Sequence, residues 1–180
     1  LLEIVTKPFK KVIHSVREIN TVYIKREKFA ITTIVVFFII QILFPFRYAI
    51  YPGELFWNEQ GYRFSWRVML MEKRGYTTFK IVDKENETSF YVMNDEFLTE
   101  FQERQMSFQP DFILEYAHFL GDHYKEKGYN DIEVYAESYV ALNGRLSKKF
   151  IDPTIDLLKE DRGFKNKSWI IPLNEEINKL

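Results

Sequence analysis

Phe29 to Phe46 reads FAITTIVVFFIIQILFPF, and the rest of this 180-residue chain is interpreted according to what that stretch forms. It carries no charge along its whole length and, as a helix, is about long enough to cross a hydrocarbon core of roughly 30 Å. Its β-branched and aromatic content also suits a buried core helix, and Gln41 and Pro45 are imperfections in a span. One domain of this size could hardly cover such a helix on all sides. Residues 29–50 are therefore expected to form a transmembrane helix. The run is too long for a secretory signal, and no small-residue cleavage pattern follows it.

Upstream, Val12, Ile13, Val16, Ile19 and Tyr23 recur at three- and four-residue intervals, with Pro8 placed for a first turn. Lys10, Lys11, Arg17, Lys25 and Arg26 occupy the other face. Residues 1–28 thus read either as a basic amphipathic helix lying on headgroups or as a packed helix with a solvated face. Cations crowd the amino-terminal side of the apolar run, whereas only Arg47 closely follows it. By the positive-inside rule the amino-terminal end is cytoplasmic, and residues 51–180 face the periplasm, cell exterior or lumen. Phe44, Phe46, Tyr48 and Tyr51 would form the far-side aromatic belt. The chain opens on Leu1 within an apolar and basic pattern, so it is expected to be a piece of a longer polypeptide.

Composition narrows the chemistry. A net charge of −1 gives no reason to expect nucleic acid binding. The absence of cysteine excludes disulfides, thiolate metal sites and a cysteine nucleophile. A 17% aromatic share with few glycines and prolines indicates an ordered, heavily packed chain. No glycine-rich phosphate loop, histidine–glutamate zinc helix or nucleophile elbow occurs. His118 and His123 are five apart on a predicted helix and point to different sides, so both are read as structural.

Past Pro52 and Gly53 the pattern becomes that of an α+β domain. Arg67–Lys73 and Tyr76–Val82 are strand-like, and Asp83–Thr88 is a polar turn before a returning strand, Ser89–Val92. Asn94 or Asp95 is expected to cap a short helix through Arg104. Pro110 opens a longer helix that Gly128 closes, with Phe112, Leu114, Tyr116, Phe119, Leu120 and Tyr124 on one apolar stripe. Ile132–Leu142 reads as a strand, Asn143-Gly144 as a hairpin turn and Arg145–Ile151 as its return. Together these predict an antiparallel β-sheet with helices packed on one face.

Between the apolar run and that sheet lies YPGELFWNEQGYRFSWRVMLMEKRGY, Tyr51–Tyr76. Trp57, Tyr62, Phe64 and Trp66 are interleaved with Glu59, Arg63, Ser65 and Arg67. Large rigid aromatic walls beside a cation can seat a carboxylate side chain. The same residues also suit a membrane-interface belt followed by the start of a core, and residue types alone favour that alternative.

Five blocks carry a family resemblance: GYRFSWRVMLMEK (Gly61–Lys73), QPDFILEYAHFL (Gln109–Leu120), YVALNGR (Tyr139–Arg145), IDPTIDL (Ile151–Leu157) and KSWIIPL (Lys167–Leu173). In this order they resemble vitamin K-dependent gamma-carboxylase, and more closely its bacterial relatives of the HTTM type. The similarity runs from mid-span to Leu173. It implies an integral membrane enzyme that oxygenates reduced vitamin K with O2. The strong base so formed removes a γ proton from glutamate, and CO2 adds to the carbanion. It also implies a glutamate-containing peptide as substrate, preceding transmembrane helices as neighbours in the lipid membrane, and a proton-abstracting lysine upstream of Leu1. No catalytic residue is expected in this chain. The substrate-binding residues it implies here are Tyr62, Ser65 and Trp66 of the GY-x-x-SW block, with Trp57 upstream and the cation Lys73. Animal carboxylases carry a histidine and an arginine where this chain has Met71 and Lys73, so only a cation is kept. Asn143, Arg145, Asp152, Ser168 and Trp169 also match and are read as structural. The alternatives are a membrane-tethered binding domain of a noncarboxylating relative, or a soluble protein with Phe29–Phe46 as its core helix.

Overall fold

A computed structural model describes residues 26–67 and 71–173, in two compact units, Leu1–Phe46 and Arg47–Leu180. In the first unit, residues 26–43 form one helix, α1, and a 3₁₀ segment over Phe44–Ile50 follows it across the unit boundary. Across Arg26–Ile50 the mean hydropathy peaks at 2.4, yet only 6% of that window is buried. Such exposure does not suit the core helix of a soluble protein. Most of the amphipathic helix expected over residues 1–28 lies outside the described residues.

The second unit is an α+β layer, as the sequence predicts. Its elements are α2 (Leu55–Asn58), β1 (Lys73–Asp83), β2 (Thr88–Tyr91), α3 (Glu100–Met106), α4 (Pro110–Glu126), β3 (Ile132–Leu142) and β4 (Lys148–Lys149). The four strands make one antiparallel sheet in the order β2-β1-β3-β4. Its centre is the long β1–β3 pair, in register from Lys73 opposite Leu142 to Asp83 opposite Ile132. Alternation puts Thr77, Phe79 and Ile81 of β1 and Val134, Ala136, Ser138 and Val140 of β3 inward. Against them pack Ile113, Leu114, Ala117 and Leu120 of α4, with Phe150, Leu157 and Trp169 from the carboxy-terminal segment.

Local chemistry accounts for the boundaries. Asp83 Oδ1 accepts from the Glu85 and Asn86 amides and closes the β1–β2 turn. Asn143 and Gly144 both take left-handed φ values, 50° and 74°, as the Asn-Gly turn requires. Pro110 starts α4, and Gly128 lies just past its end at φ 97°.

Five expectations need correction. Arg67, Met71 and Glu72 are not in a strand, and the sheet begins at Lys73. No break separates Lys73 from Tyr76, because Gly75 serves close approach instead of a turn: a Cβ there would sit 2.5 Å from the Ser107 carbonyl oxygen. The helix after β2 is capped by Thr99, through a capping box with Gln102, while Asn94–Glu96 forms a separate 3₁₀ turn. On α4 the buried stripe runs through Ile113, Leu114, Tyr116, Ala117 and Leu120, whereas Phe112 and Phe119 are exposed. The return strand pairs only through Lys148 and Lys149, after which Ile151 bridges Ile170.

Candidate functional site

The stretch from Pro52 to Arg67 is a chain of tight turns that sorts its aromatic residues into inward and outward sets. The Glu54 side chain accepts from the Phe56 amide and starts α2. Glu59 ends it in the left-handed conformation, φ 56°. The Tyr62 amide then donates to the Glu59 carbonyl at 3.1 Å, and that of Ser65 to the Tyr62 carbonyl at 3.0 Å. Gly61, at φ 75°, has no room for a Cβ against the Tyr48 backbone. Phe64 also has a positive φ, 61°, which in a bulky residue marks a backbone held by its surroundings.

Trp57 goes inward. It is 2% exposed, stands edge-on to Phe150 at 4.9 Å and donates from Nε1 to the Ile171 carbonyl at 2.7 Å. Gln60 fixes the same carboxy-terminal segment through Asn166 Oδ1 at 3.0 Å and the Lys167 amide at 3.1 Å. Trp66 goes outward, 69% exposed. Tyr62 is half-buried, edge-on to Phe56. Ser65 is buried, and its Oγ makes no hydrogen bond among the described residues. A buried hydroxyl without a partner is uncommon, and it has capacity left for a ligand.

Lys73, the fifth sequence-predicted residue, is joined to Trp57 and not to the exposed surface. Its side chain is 0% exposed, and its ammonium donates to the Trp57 carbonyl at 2.9 Å and to Glu59 Oε1 at 2.7 Å. It also lies 4.6 Å from the Phe150 ring centre. Burial lowers the Lys73 pKa and raises that of Glu59, and the mutual attraction opposes both shifts. Sequence reasoning places Glu59 among the polar residues of the stretch without pairing it with Lys73. Nothing in the spacing pointed to it, since the pair forms only because the loop turns back over the first residue of β1. Arg67 supplies an outer cation, 4.5 Å from the Tyr48 ring centre and 3.2 Å from its hydroxyl.

Asn143, Asp152, Trp169 and His118, read from the sequence as structural, make contacts within the domain. Asn143 exchanges hydrogen bonds with the Glu72 backbone, both at 2.8 Å, so the hairpin turn holds the chain entering β1. Asp152 accepts from the Thr154 amide and hydroxyl, and Trp169 is in the core. His118 Nε2 lies within hydrogen-bond distance of the Leu157 and Glu160 carbonyls.

A family model for the vitamin K-dependent gamma-carboxylase lumenal domain matches residues 26–176. The chain belongs to that family. The match covers the turns of the Pro52–Arg67 stretch, the whole sheet, and α4. It also takes in the Lys167–Leu173 segment, which the bond Trp57 donates to Ile171 and the one Gln60 accepts from the Lys167 amide join to the Pro52–Arg67 stretch. A lumenal domain after one apolar helix is consistent with membrane association. No solved structure matches the chain.

Proposed function

We propose that the chain is the membrane-attached, extracytoplasmic part of an integral membrane vitamin K-dependent gamma-glutamyl carboxylase-like enzyme. In this reading residues 29–50 span the lipid bilayer and residues 51–180 face the lumen, exterior or periplasm. The observation that carries the proposal is the family match over 26–176 together with the outward presentation of Trp66 beside Ser65 and Tyr62. Trp66 would wall the substrate glutamate, Tyr62 would support that wall, and the Ser65 hydroxyl would donate to the carboxylate. Trp57 and Lys73 act behind them, holding the loop in place.

Reduced vitamin K is the cofactor the family name implies. A cavity of about 360 Å³, walled in part by Pro52, Trp57, Ile170, Pro172 and Leu173, is within the size range of small-molecule pockets. Asn58, Gln60, Asn166 and Ser168 add polar groups to its walls, while the Trp57 indole donor is already committed to Ile171. The family resemblance implies quinone, O2 and CO2 chemistry on preceding transmembrane helices of the enzyme.

A second reading, a noncarboxylating relative that keeps the domain for binding, is favoured by one observation: Lys73, the retained cation, is buried on Glu59. Steady-state kinetics on the full-length parent separates the two. Under the carboxylase reading, Trp66→Ala raises KM for a glutamate peptide at least tenfold while the protein stays folded. An unchanged KM, or no turnover by the parent with any quinone, supports the second.

A further inference from the structure

A small cavity of about 140 Å³ is walled in part by Glu59 and Gly61, and its charged lining is mostly cationic. Arg63, Lys165 and Lys167 line it together with Asp111 and Glu59. Lys73 already neutralises Glu59. Asp111 is then the remaining carboxylate on the wall, and it divides its two oxygens between cations: Oδ2 faces Arg63 Nε at 3.6 Å and Oδ1 pairs with Lys167. Three cations thus face one carboxylate, a surplus of two positive charges without counting Arg47, which also lines the cavity.

The surroundings add to that field. The Lys167 side chain is 11% exposed, so its charge is poorly screened by water. Asp111 lies in the first turn of the 17-residue helix α4, whose positive dipole end favours anions. The volume is well below the roughly 300 Å³ of pockets that enclose drug-sized ligands, yet it admits several waters or one small anion.

We propose that this cavity binds a phosphate-type oxyanion, whose oxygens the Arg63 guanidinium and the Lys165 and Lys167 ammoniums would share. A phosphate offers more oxygens than a carboxylate, which suits cations delivered from two separate segments, at residue 63 and at residues 165–167. Two sources have this chemistry: a phospholipid headgroup and free phosphate. The site goes beyond the substrate seat and does not depend on the carboxylase reading.

The test uses the chain in detergent, titrated calorimetrically with inorganic phosphate, and in parallel its partition onto vesicles of phosphatidylcholine with or without phosphatidylglycerol. Saturable phosphate binding is expected, weakened about tenfold by Arg63→Gln or Lys165→Gln, since a charge-assisted hydrogen bond contributes at least that factor. Asp111→Asn removes the competing carboxylate and is expected to tighten binding, even though it weakens the start of α4. Circular dichroism checks the fold of each variant, and Lys165 is an exposed loop position that folding tolerates. If the phosphatidylglycerol-dependent partition follows the same three substitutions, the source is a lipid headgroup. If only phosphate binding follows them, the source is soluble. Absence of phosphate binding, or binding indifferent to all three substitutions, overturns the proposal.

Discussion

Replacing Lys73 with methionine keeps an unbranched side chain of similar length and removes only the ammonium. The wild-type group bonds Glu59 at 2.7 Å and the Trp57 carbonyl at 2.9 Å, with the two ionised side chains 0% and 9% exposed. Deleting one member of such a pair leaves a buried charge uncompensated, which costs about 3–5 kcal/mol. The double variant Lys73→Met/Glu59→Gln removes both charges, and neutral replacement of a buried pair is expected to fall within about 2 kcal/mol of wild type. Urea unfolding, followed by the fluorescence of buried Trp57 and Trp169, measures all four corners of the cycle. The single variant also has a pH signature. A carboxyl whose folded pKa is raised contributes stability that is complete below its unfolded value and lost as pH rises through the folded value. Glu59 is raised already, so the deficit of Lys73→Met should shrink as pH falls toward its ordinary value of 4.5. A loss under 1 kcal/mol for Lys73→Met at neutral pH would refute the pinned role and return Lys73 to the substrate-facing set.

Further expectations follow from other parts of the domain. Glu133 receives Lys84 at 2.6 Å, Lys159 at 2.9 Å and the Tyr135 hydroxyl at 2.7 Å, which hold its carboxyl down to about 2. That contribution is complete above pH 4.5 and lost as pH falls toward 2, so Glu133→Gln should cost about 2–3 kcal/mol at neutral pH and flatten the acid limb of the stability profile. Gly75→Ala should lower stability by about 1–3 kcal/mol, because the added methyl meets the Ser107 carbonyl; an unchanged midpoint would contradict that close approach. Ser65→Ala deletes a hydroxyl with no partner among the described residues, so thermal stability should hold or rise while, under the carboxylase reading, KM for a glutamate peptide rises. A loss of stability with KM unchanged would give that hydroxyl a structural role.

Much of the fold was legible because period and turn chemistry agreed. Ile132–Leu142, the Asn143-Gly144 turn and the Pro110 start of α4 are local patterns, and the structure has them where the sequence places them. The errors arose where tertiary contact overrode a local cue. Gly75 looks like a break and is a contact with Ser107, and Phe112 and Phe119 look like core on a helix whose smaller Ala117 and Gly121 face inward. Thr99 and Gln102, three residues apart, carry the capping-box pattern that starts α3, past the Asn94 or Asp95 that residue type alone favours. The site was less legible. Residue types marked the stretch from Trp57 to Lys73, but which aromatic faces inward depends on left-handed turns at Glu59, Gly61 and Phe64, of which only the glycine is readable in sequence. The Glu59–Lys73 pair and the cluster of Arg63, Asp111 and Lys167 join segments far apart in the chain, and no periodicity connects them.

The central claim is most directly tested by the incorporation of labelled bicarbonate into a glutamate-containing peptide by the full-length parent in membranes, with and without reduced vitamin K. The account predicts incorporation that requires the reduced quinone and falls sharply in Trp66→Ala. Folded parent protein that incorporates no label with any quinone or peptide tried would contradict it.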